Sequence, residues 1–576
     1  MYWQGVTSNH ADFSSVRNGQ ISSPLAARRN PTGALKARMQ RLWLSLLVHR
    51  DAFRLDPLGY SQGIAWRLRG LRVRSSNRLA ALMGRSPHAY NLWISRTEPA
   101  VHGGMLEGAR ADLPPILPIV DAVASSGSVS NTLQSLAGAC AKEAVIIIEH
   151  GNVSGTTTVS HPSDLAGMIS PLGSWLCVIR GGDLLAPHAL AIYARAAAEA
   201  NNAWVIYADD DLLERGERHS PHFKSSWNPE LFEHHDFVTG SALVRVTPEM
   251  LASLDGEEWL DQLTRRAIAR GSAPIHLPAV LHHRERRPQP TLPAKPVLPK
   301  GRPAPSVTAI VPTRNGVSYL RTCVEGVRRT AYPDIELIII DNGSDDSDTL
   351  DYLASLRADD VTVLRQGGEF NFSALNNAAV RHARGELLCF LNNDVEMVDC
   401  DWLSLLVRQA RRPDVGAVGG RLLYPDGTLQ HAGVVTGVGG GAAHAHRNLK
   451  DEDTGYFLRD RLPQRVSAVT AACLVVSKQK FLAVRGFNEI DFPVAFNDVD
   501  LCLKLNACGW QSFYEPRAVL IHHESKSRGS DSRKENRARF AGELAALKRH
   551  WGTDRQRDPY HHPHLSPFCE QFHIAV

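Results

Sequence analysis

The chain has no run approaching the roughly 18–20 continuous apolar residues that a helix needs to cross a bilayer, so any membrane contact is expected to be peripheral. Neither sign of charge dominates. Its 64 Lys and Arg stand against 60 Asp and Glu, a net of +4, which argues against a dedicated nucleic-acid binder. The nine cysteines, at 140, 177, 323, 389, 400, 473, 502, 508 and 569, include no C-x-x-C pair, and several lie inside apolar runs. They read as reduced core residues of a cytoplasmic protein. The opening Met1-Tyr-Trp-Gln4 leads into polar residues without the apolar core of a signal peptide. What remains is the composition of a globular protein whose 576 residues call for two to four domains.

Residues 1 to about 35 are rich in Ser, Asn, Gly and Arg and read as a mobile arm. From Leu35 to Leu55, apolar residues including Met39, Leu42, Leu46 and Leu47 alternate with Lys36, Arg38, Arg41 and Arg50 in an imperfect helical stripe, and a second basic segment, Trp66–Arg74, follows. A basic amphipathic helix suits an anionic membrane surface, and packing on the next domain is the alternative. Beyond residue 110, apolar runs at Ile116–Val120, Ala144–Glu149 and Trp175–Ile179 alternate with helical patterns at Ser130–Ala139 and His188–Ala200, which predicts a parallel α/β sheet. Seven prolines between Arg286 and Pro305 then mark a semi-rigid linker. After it the layout recurs with runs at Val307–Val311, Glu336–Asp341 and Leu387–Leu391. Each half also closes on a related phrase, Val280-Leu-His-His-Arg-Glu285 and Val519-Leu-Ile-His-His-Glu524. One architecture is expected twice.

In the second half, polar residues gather at strand ends, where ligands bind in open α/β sheets. The first strand ends in Pro312-Thr-Arg-Asn-Gly316, the second in Asp341-Asn-Gly-Ser-Asp-Asp346 and the third in Asn392-Asn-Asp-Val-Glu396. A carboxylate at a strand end can accept from a nucleobase N–H or ribose hydroxyls, and Asn392 and Asp394, two residues apart, could share a hard cation with a diphosphate. Asn497-Asp-Val-Asp500 precedes an apolar helical pattern; Asp498 or Asp500 is either an N-cap or a base that takes an acceptor proton. His522-His523 could complete an oxygen-rich cation site.

Residues 307–529 resemble the inverting glycosyltransferases of family 2, which have the nucleotide-binding GT-A fold. The resemblance rests on Ile310-Val-Pro-Thr-Arg-Asn315, Ile338–Ser344, Phe372–Ala378, Ala383-Arg-Gly-Glu386 before Phe390–Asp394, Gly486-Phe-Asn-Glu489, Asn497–Leu503 and His522-His-Glu-Ser525 leading to Ser527-Arg-Gly529, in that order. The tail phrase Asp558-Pro-Tyr-His-His-Pro-His-Leu-Ser566 resembles one that closes many bacterial members acting in polysaccharide assembly; its histidines are expected to pack rather than bind metal. The resemblance implies a nucleotide-binding set of Pro312, Thr313, Arg314, Asn315, Asp341, Asn376, Asn392 and Asn393. It further implies Asp394 and His522 as ligands of Mg²⁺ or Mn²⁺, Asp498 as catalytic base, and Asp500 and His523 in support. Asn392 stands where the family's D-x-D motif has an aspartate.

The organisation expected is an arm and basic helical region over 1–105, a degenerate GT-A-like domain over 106–285, the linker 286–305, a catalytic GT-A domain over 306–529, and a helical C-terminal extension with tail over 530–576. The first half is family-like at Ile206–Asp211 and Pro221–Pro229, but has Arg180-Gly-Gly-Asp183 where the second half has Asn392-Asn-Asp394. A cation there would weaken metal binding, so this half is expected to be a scaffold or acceptor-binding module, with Asp209-Asp-Asp211 keeping a second activity open. The function implied is transfer of a sugar from a UDP- or dTDP-sugar to a hydroxyl of a growing surface glycan, free or lipid-linked, by a cytoplasmic enzyme with peripheral inner-membrane contact. The rival reading is a noncatalytic glycan-binding scaffold. A nucleotidyltransferase is disfavoured because the glycine-rich phosphate loop after the first strand is missing. The Gly437–Arg447 segment is expected to act as a lid.

Overall fold

The computed structural model describes residues 31–108, 112–123, 128–139, 144–147, 156–254, 256, 258–296, 304–358, 361–524 and 536–576. The expected arm over residues 1–30, Cys140 and the Ser525–Gly529 phrase lie outside them. A helix begins at Pro31 and runs to Leu55, followed by shorter helices at Pro57–Leu68, Arg72–Met83, Ala89–Arg96 and Glu98–Leu106. Among the described residues no helix is long and apolar enough to cross a membrane.

Two sheets follow. The first comprises β1 (Ile116–Asp121), β2 (Val145–Ile147), β3 (Thr157–Val159), β4 (Ser174–Arg180), β5 (Leu184–Leu185), β6 (Val205–Glu214), β7 (Glu217–His222), β8 (Ala242–Val246) and β9 (Ile275–Arg284). The chain continues with β10 (Val307–Thr313), β11 (Ile335–Asp341), β12 (Thr362–Arg365), β13 (Leu387–Leu391), β14 (Val395–Met397), β15 (Val415–Leu423), β16 (Leu429–His431), β17 (Val434–Thr436), β18 (Ala442–His444), β19 (Gln464–Val466), β20 (Cys473–Ser477) and β21 (Gln511–His522). The first sheet has the order β3-β2-β1-β4-β8-β6-β9-β5, and the second β12-β11-β10-β13-β20-β15-β21-β14. Strand by strand the two orders correspond, and so do the directions: the pairs around β1 and β10 are parallel, β8 and β20 run antiparallel to their neighbours, β6–β9 and β15–β21 are parallel, and β5 and β14 return antiparallel at the edge. The chain is α/β with a GT-A-like sheet built twice.

The strands read as unbroken apolar runs because helices cover both sheet faces. With a side-chain period of two, Ile310, Ile338, Ile340, Leu388 and Phe390 enter one core layer. Ala309, Val311, Ile339, Cys389 and Leu391 enter the other. Ile119 and Val120, with their neighbours, divide in the same way in the first half. Fully burying each Ile, Leu or Phe contributes about 1.5–3 kcal/mol, which fixes the register: a slip by one residue would exchange the layers. The described part of the proline-rich segment, residues 286–296, has no regular structure but is pinned, Arg287 Nη1 lying 3.1 Å from Asp210 and Lys295 Nζ 3.0 Å from both Asp399 and Asp401.

Several phrases of the sequence are devices of packing. Gly385 sits where a Cβ would lie 2.5 Å from the Thr308 backbone nitrogen, so only glycine lets β13 start beside β10. Asn377 Nδ2 donates to the Phe487 carbonyl at 2.9 Å and to Glu489 Oε1 at 2.8 Å, which ties the Phe372–Ala378 phrase to the Gly486–Glu489 phrase.

Candidate active site

A cleft of about 990 Å³ opens in the second half beyond the carboxyl ends of β10 and β13. Pro312, Thr313, Arg314 and Asn315 form one wall. Asn315 and Gly316 both take left-handed backbone conformations, φ 53° and 70°, turning the chain sharply off β10 into the helix Val317–Arg328. The turn is cross-braced: the Asn315 backbone N–H donates to Ser344 Oγ at 2.8 Å, and Asn315 Oδ1 accepts from the Asp345 and Asp346 backbone N–H groups. Asn393 Nδ2 donates to Thr313 Oγ1 at 3.0 Å, joining the ends of the two strands.

At the cleft floor Asn392, Asp394 and His522 converge. β14 pairs antiparallel with β21, setting Val395 opposite His522 and so placing Asp394 beside the imidazole. His522 Nε2 lies 3.1 Å from Asp394 Oδ1 and 3.2 Å from Asn392 Nδ2, while His522 Nδ1 lies 2.7 Å from Gln430 Oε1. With Gln430 accepting the Nδ1 proton, the Nε2 lone pair faces the carboxylate, the arrangement by which an outer partner orients a metal-binding histidine. Half a turn of the Asn392 amide adds an oxygen donor. A carboxylate, an amide oxygen and an imidazole make a donor set that fits a divalent cation. His523 points elsewhere: its Nε2 lies 3.0 Å from Glu396 and its ring packs at 5.5 Å on Tyr319.

Asp498 lies on the cleft wall in the first turn of the helix Asn497–Ala507. Burial raises its carboxyl above the ordinary value, opposed by hydrogen bonds from the Ala471 and Val499 backbone N–H groups. Neither Asp498 nor Asp500 caps the helix, which corrects the N-cap expectation: Phe496 occupies that position in a left-handed conformation and no side chain bonds there. Asp500 faces away from the cleft, accepting from Trp551 Nε1 at 2.9 Å and pairing with Lys504 at 3.0 Å, so it holds the C-terminal helix Arg537–Trp551 in place.

Two expected nucleotide contacts lie off the cleft wall. Asn376 is fully buried and donates to the Phe372 carbonyl at 2.8 Å within its own helix, a packing role that corrects the nucleotide-binding expectation. Asp341 is 1% exposed; its Oδ1 accepts from the Ser344 N–H at 2.8 Å and its Oδ2 lies 3.7 Å from Arg365 Nη1.

Sequence reasoning missed Gln430, His444, Arg447 and Glu524, all on the cleft wall. Burial works to raise the Glu524 carboxyl, but Arg447 and the Tyr424 hydroxyl hold it below its ordinary value. Burial, with Arg447, lowers His444 to about 4, so it is neutral at physiological pH. The Gly437–Arg447 segment holds the turn of the β17–β18 hairpin and β18 itself, and the tail ties that hairpin down, Asp558 Oδ2 accepting from the Thr436 N–H at 2.7 Å. Phe496 and Phe540, ring centroids 5.3 Å apart, close the side next to Asp498.

In the corresponding region of the first half the carboxylates are paired with cations and histidines. Asp183 is 4% exposed, accepts from the Glu285 backbone N–H at 2.8 Å, and lies 3.8 Å from Arg284. His283 faces Asp211 at 2.7 Å, and Asp210 is buried among Lys224, Arg284 and Arg287. Burial works to raise Asp210, but those three cations hold it well below the carboxylate range. Asp209, His276 and His562 also cluster, each histidine Nε2 lying 2.8 Å from an Asp209 oxygen. The His564 backbone N–H donates to His562 Nδ1 at 3.0 Å, which places the neutral ring's proton on Nε2. That favours a His–Asp–His tie between tail and first half over a metal site.

Residues 308–468 match the Glycosyl transferase family 2 model. An uncharacterized protein, y4gI, of Sinorhizobium fredii is 39% identical over 68% of this chain and 48% of its own length. The O-antigen biosynthesis protein RfbC of Myxococcus xanthus is 33% identical over 69% of this chain and 34% of its own. The chain therefore spans less than half the length of these two relatives. Among solved structures, a mannosyltransferase from Pyrobaculum calidifontis in complex with GDP-Man and Mn²⁺ is 20% identical with a TM-score of 0.34, covering 47% of this chain and 71% of that one.

Proposed function

We propose, from the premise that the chain carries a Glycosyl transferase family 2 domain over residues 308–468, that it moves a sugar from a UDP- or dTDP-sugar to a hydroxyl of a growing bacterial surface glycan, free or lipid-linked, with inversion at the anomeric carbon. The observation that carries the reading is the meeting of Asn392, Asp394 and His522 with the carboxylate Asp498 in one cleft. The naming of the Myxococcus xanthus relative for O-antigen biosynthesis supports the glycan class.

The Pro312–Asn315 turn and Asn393 line the donor side, and Asp341, paired in register with Thr313 on the neighbouring strand, is assigned to the nucleoside. Asp394 and His522, with Asn392, would hold Mg²⁺ or Mn²⁺, which when bound offsets charge on the leaving diphosphate. Asp498 accepts the proton of the acceptor hydroxyl as its oxygen attacks the anomeric carbon from the face opposite the diphosphate. Its raised carboxyl makes it a stronger base than a surface aspartate. Direct displacement of this kind inverts the centre once. The first half serves as a scaffold that carries the tail and the hairpin β17–β18.

The test is a panel of nucleotide sugars assayed for UDP or dTDP release with Mn²⁺ and then with chelator. The proposal expects one donor class to turn over, dependence on the cation, and product of inverted configuration by NMR. Binding of no nucleotide sugar would favour the scaffold reading.

A further inference from the structure

We propose that the helix Pro31–Leu55 is a docking face for an anionic lipid bilayer. At 3.6 residues per turn, Leu35, Met39, Leu42, Trp43, Leu46 and Phe53 fall within an arc of about 100° on one side of this helix. All are exposed, Leu42 by 60%, Trp43 by 62% and Leu46 by 62%. The opposite side anchors the helix to the body: Leu44 and Val48 pack with Leu92 in a small core. Asp51 accepts from Ser86 Oγ at 2.8 Å and lies 2.8 Å from His88 Nδ1, fixing which side faces out. A row of large apolar side chains is thus held outward by a rigid attachment.

The charge around the row names the partner. Lys36 and Arg54 border the arc on one edge and Arg38 on the other, and all three are exposed. Residues 31–85 contain eleven Lys and Arg against two Asp and no Glu, a net of +9 in a chain whose total is +4. Both acids are engaged locally, Asp51 by Arg50 and His88, Asp56 by Arg78. Around the turn that joins the helices Pro57–Leu68 and Arg72–Met83, Leu68, Leu71 and Val73 are exposed between the exposed Arg67, Arg69, Arg72 and Arg74. Apolar side chains flanked by unopposed cations match the two components of a lipid interface, acyl chains beneath anionic headgroups. A protein partner for so apolar a face would not require the basic border on both edges.

This inference stands apart from the sugar-transfer reading, and its test does not read activity. The full chain is sedimented with vesicles of phosphatidylcholine alone and with phosphatidylglycerol added, at low and high salt. Binding is expected to the anionic vesicles, weakened by salt, and reduced roughly tenfold or more by the combined substitution Leu42→Glu, Trp43→Glu and Leu46→Glu and by Lys36→Glu with Arg38→Glu. Both variants should keep the wild-type Tm, since the altered side chains are exposed. Absence of wild-type binding, or binding unchanged by the apolar substitutions, would overturn the proposal. So would a dimer in light scattering that the same substitutions dissolve while vesicles remain unbound, because the face would then belong to a second copy.

Discussion

At the scale of single residues, the candidate site divides into groups that act and groups that aim them. Asp498→Asn keeps size and polarity but removes the base. Product formation is expected to fall by roughly 10²–10⁴-fold while donor affinity, measured by calorimetry, is unchanged. Burial raises the Asp498 carboxyl, so the low-pH limb of kcat/KM should bend above the ordinary carboxylate range of about 4. The sign follows from the role: only the ionised form takes a proton, so rate is lost as pH falls through the raised value. Gln430 is an aiming residue. Gln430→Ala frees the His522 ring, and Mn²⁺ affinity should weaken by about 10–100-fold with the Asp498-dependent pH limb unmoved. Asp394 and Asp498 were legible because they sit beside apolar strand and helix patterns. Gln430 was not: it is 92 residues from His522 and meets it only because β16 folds back along β15.

Among the elements, strands were the most legible, since both sheet faces are covered and the apolar runs are unbroken. The extent of the C-terminal extension's contribution was not. Its helix Arg537–Trp551 reads in sequence as an appendage, yet Glu543 Oε1 accepts from the Val494 and Ala495 backbone N–H groups at 2.8 and 2.9 Å, just ahead of Phe496 and Asp498. Glu543→Ala would leave the buried Val494 N–H and the part-buried Ala495 N–H without that acceptor, costing about 1–3 kcal/mol. The expected readout is a lowered Tm with kcat reduced more than donor affinity, because the segment that positions the base is released while the β10 wall stays intact. Asp500 belongs to the same clamp through Trp551; the family resemblance, rather than the acidic pair's own spacing, is what separated Asp498 on the cleft wall from Asp500 behind it. Asn376 and Asn377 show the same limit: adjacent amides in one phrase, one buried within its helix and the other binding a loop 110 residues away.

For the whole molecule, duplication was visible in the repeated strand runs and the paired His-His phrases, and the matching strand orders bear it out. The junction between the halves was invisible, because it is made by side chains from distant loops. Glu230 of the first half meets Arg412 and Arg465 of the second, and Asn228 exchanges hydrogen bonds with the Arg465 backbone at 2.9 and 3.1 Å. Tyr456 reaches across to the Phe223 backbone, and Leu462 enters the first half's core. Such a buried, hydrogen-bonded junction predicts one cooperative calorimetric transition for the full chain; two transitions separated by more than about 10 °C would show that the halves unfold independently.

The central claim is that of two similar sheets only the second keeps a donor site. It is tested most directly by counting nucleotide diphosphates bound per chain in the presence of Mn²⁺, by titration calorimetry, for the wild type, Asp394→Ala and Asp183→Asn. The account predicts one equivalent bound by the wild type, none by Asp394→Ala, and one by Asp183→Asn. Two equivalents, or one that survives Asp394→Ala, would contradict it.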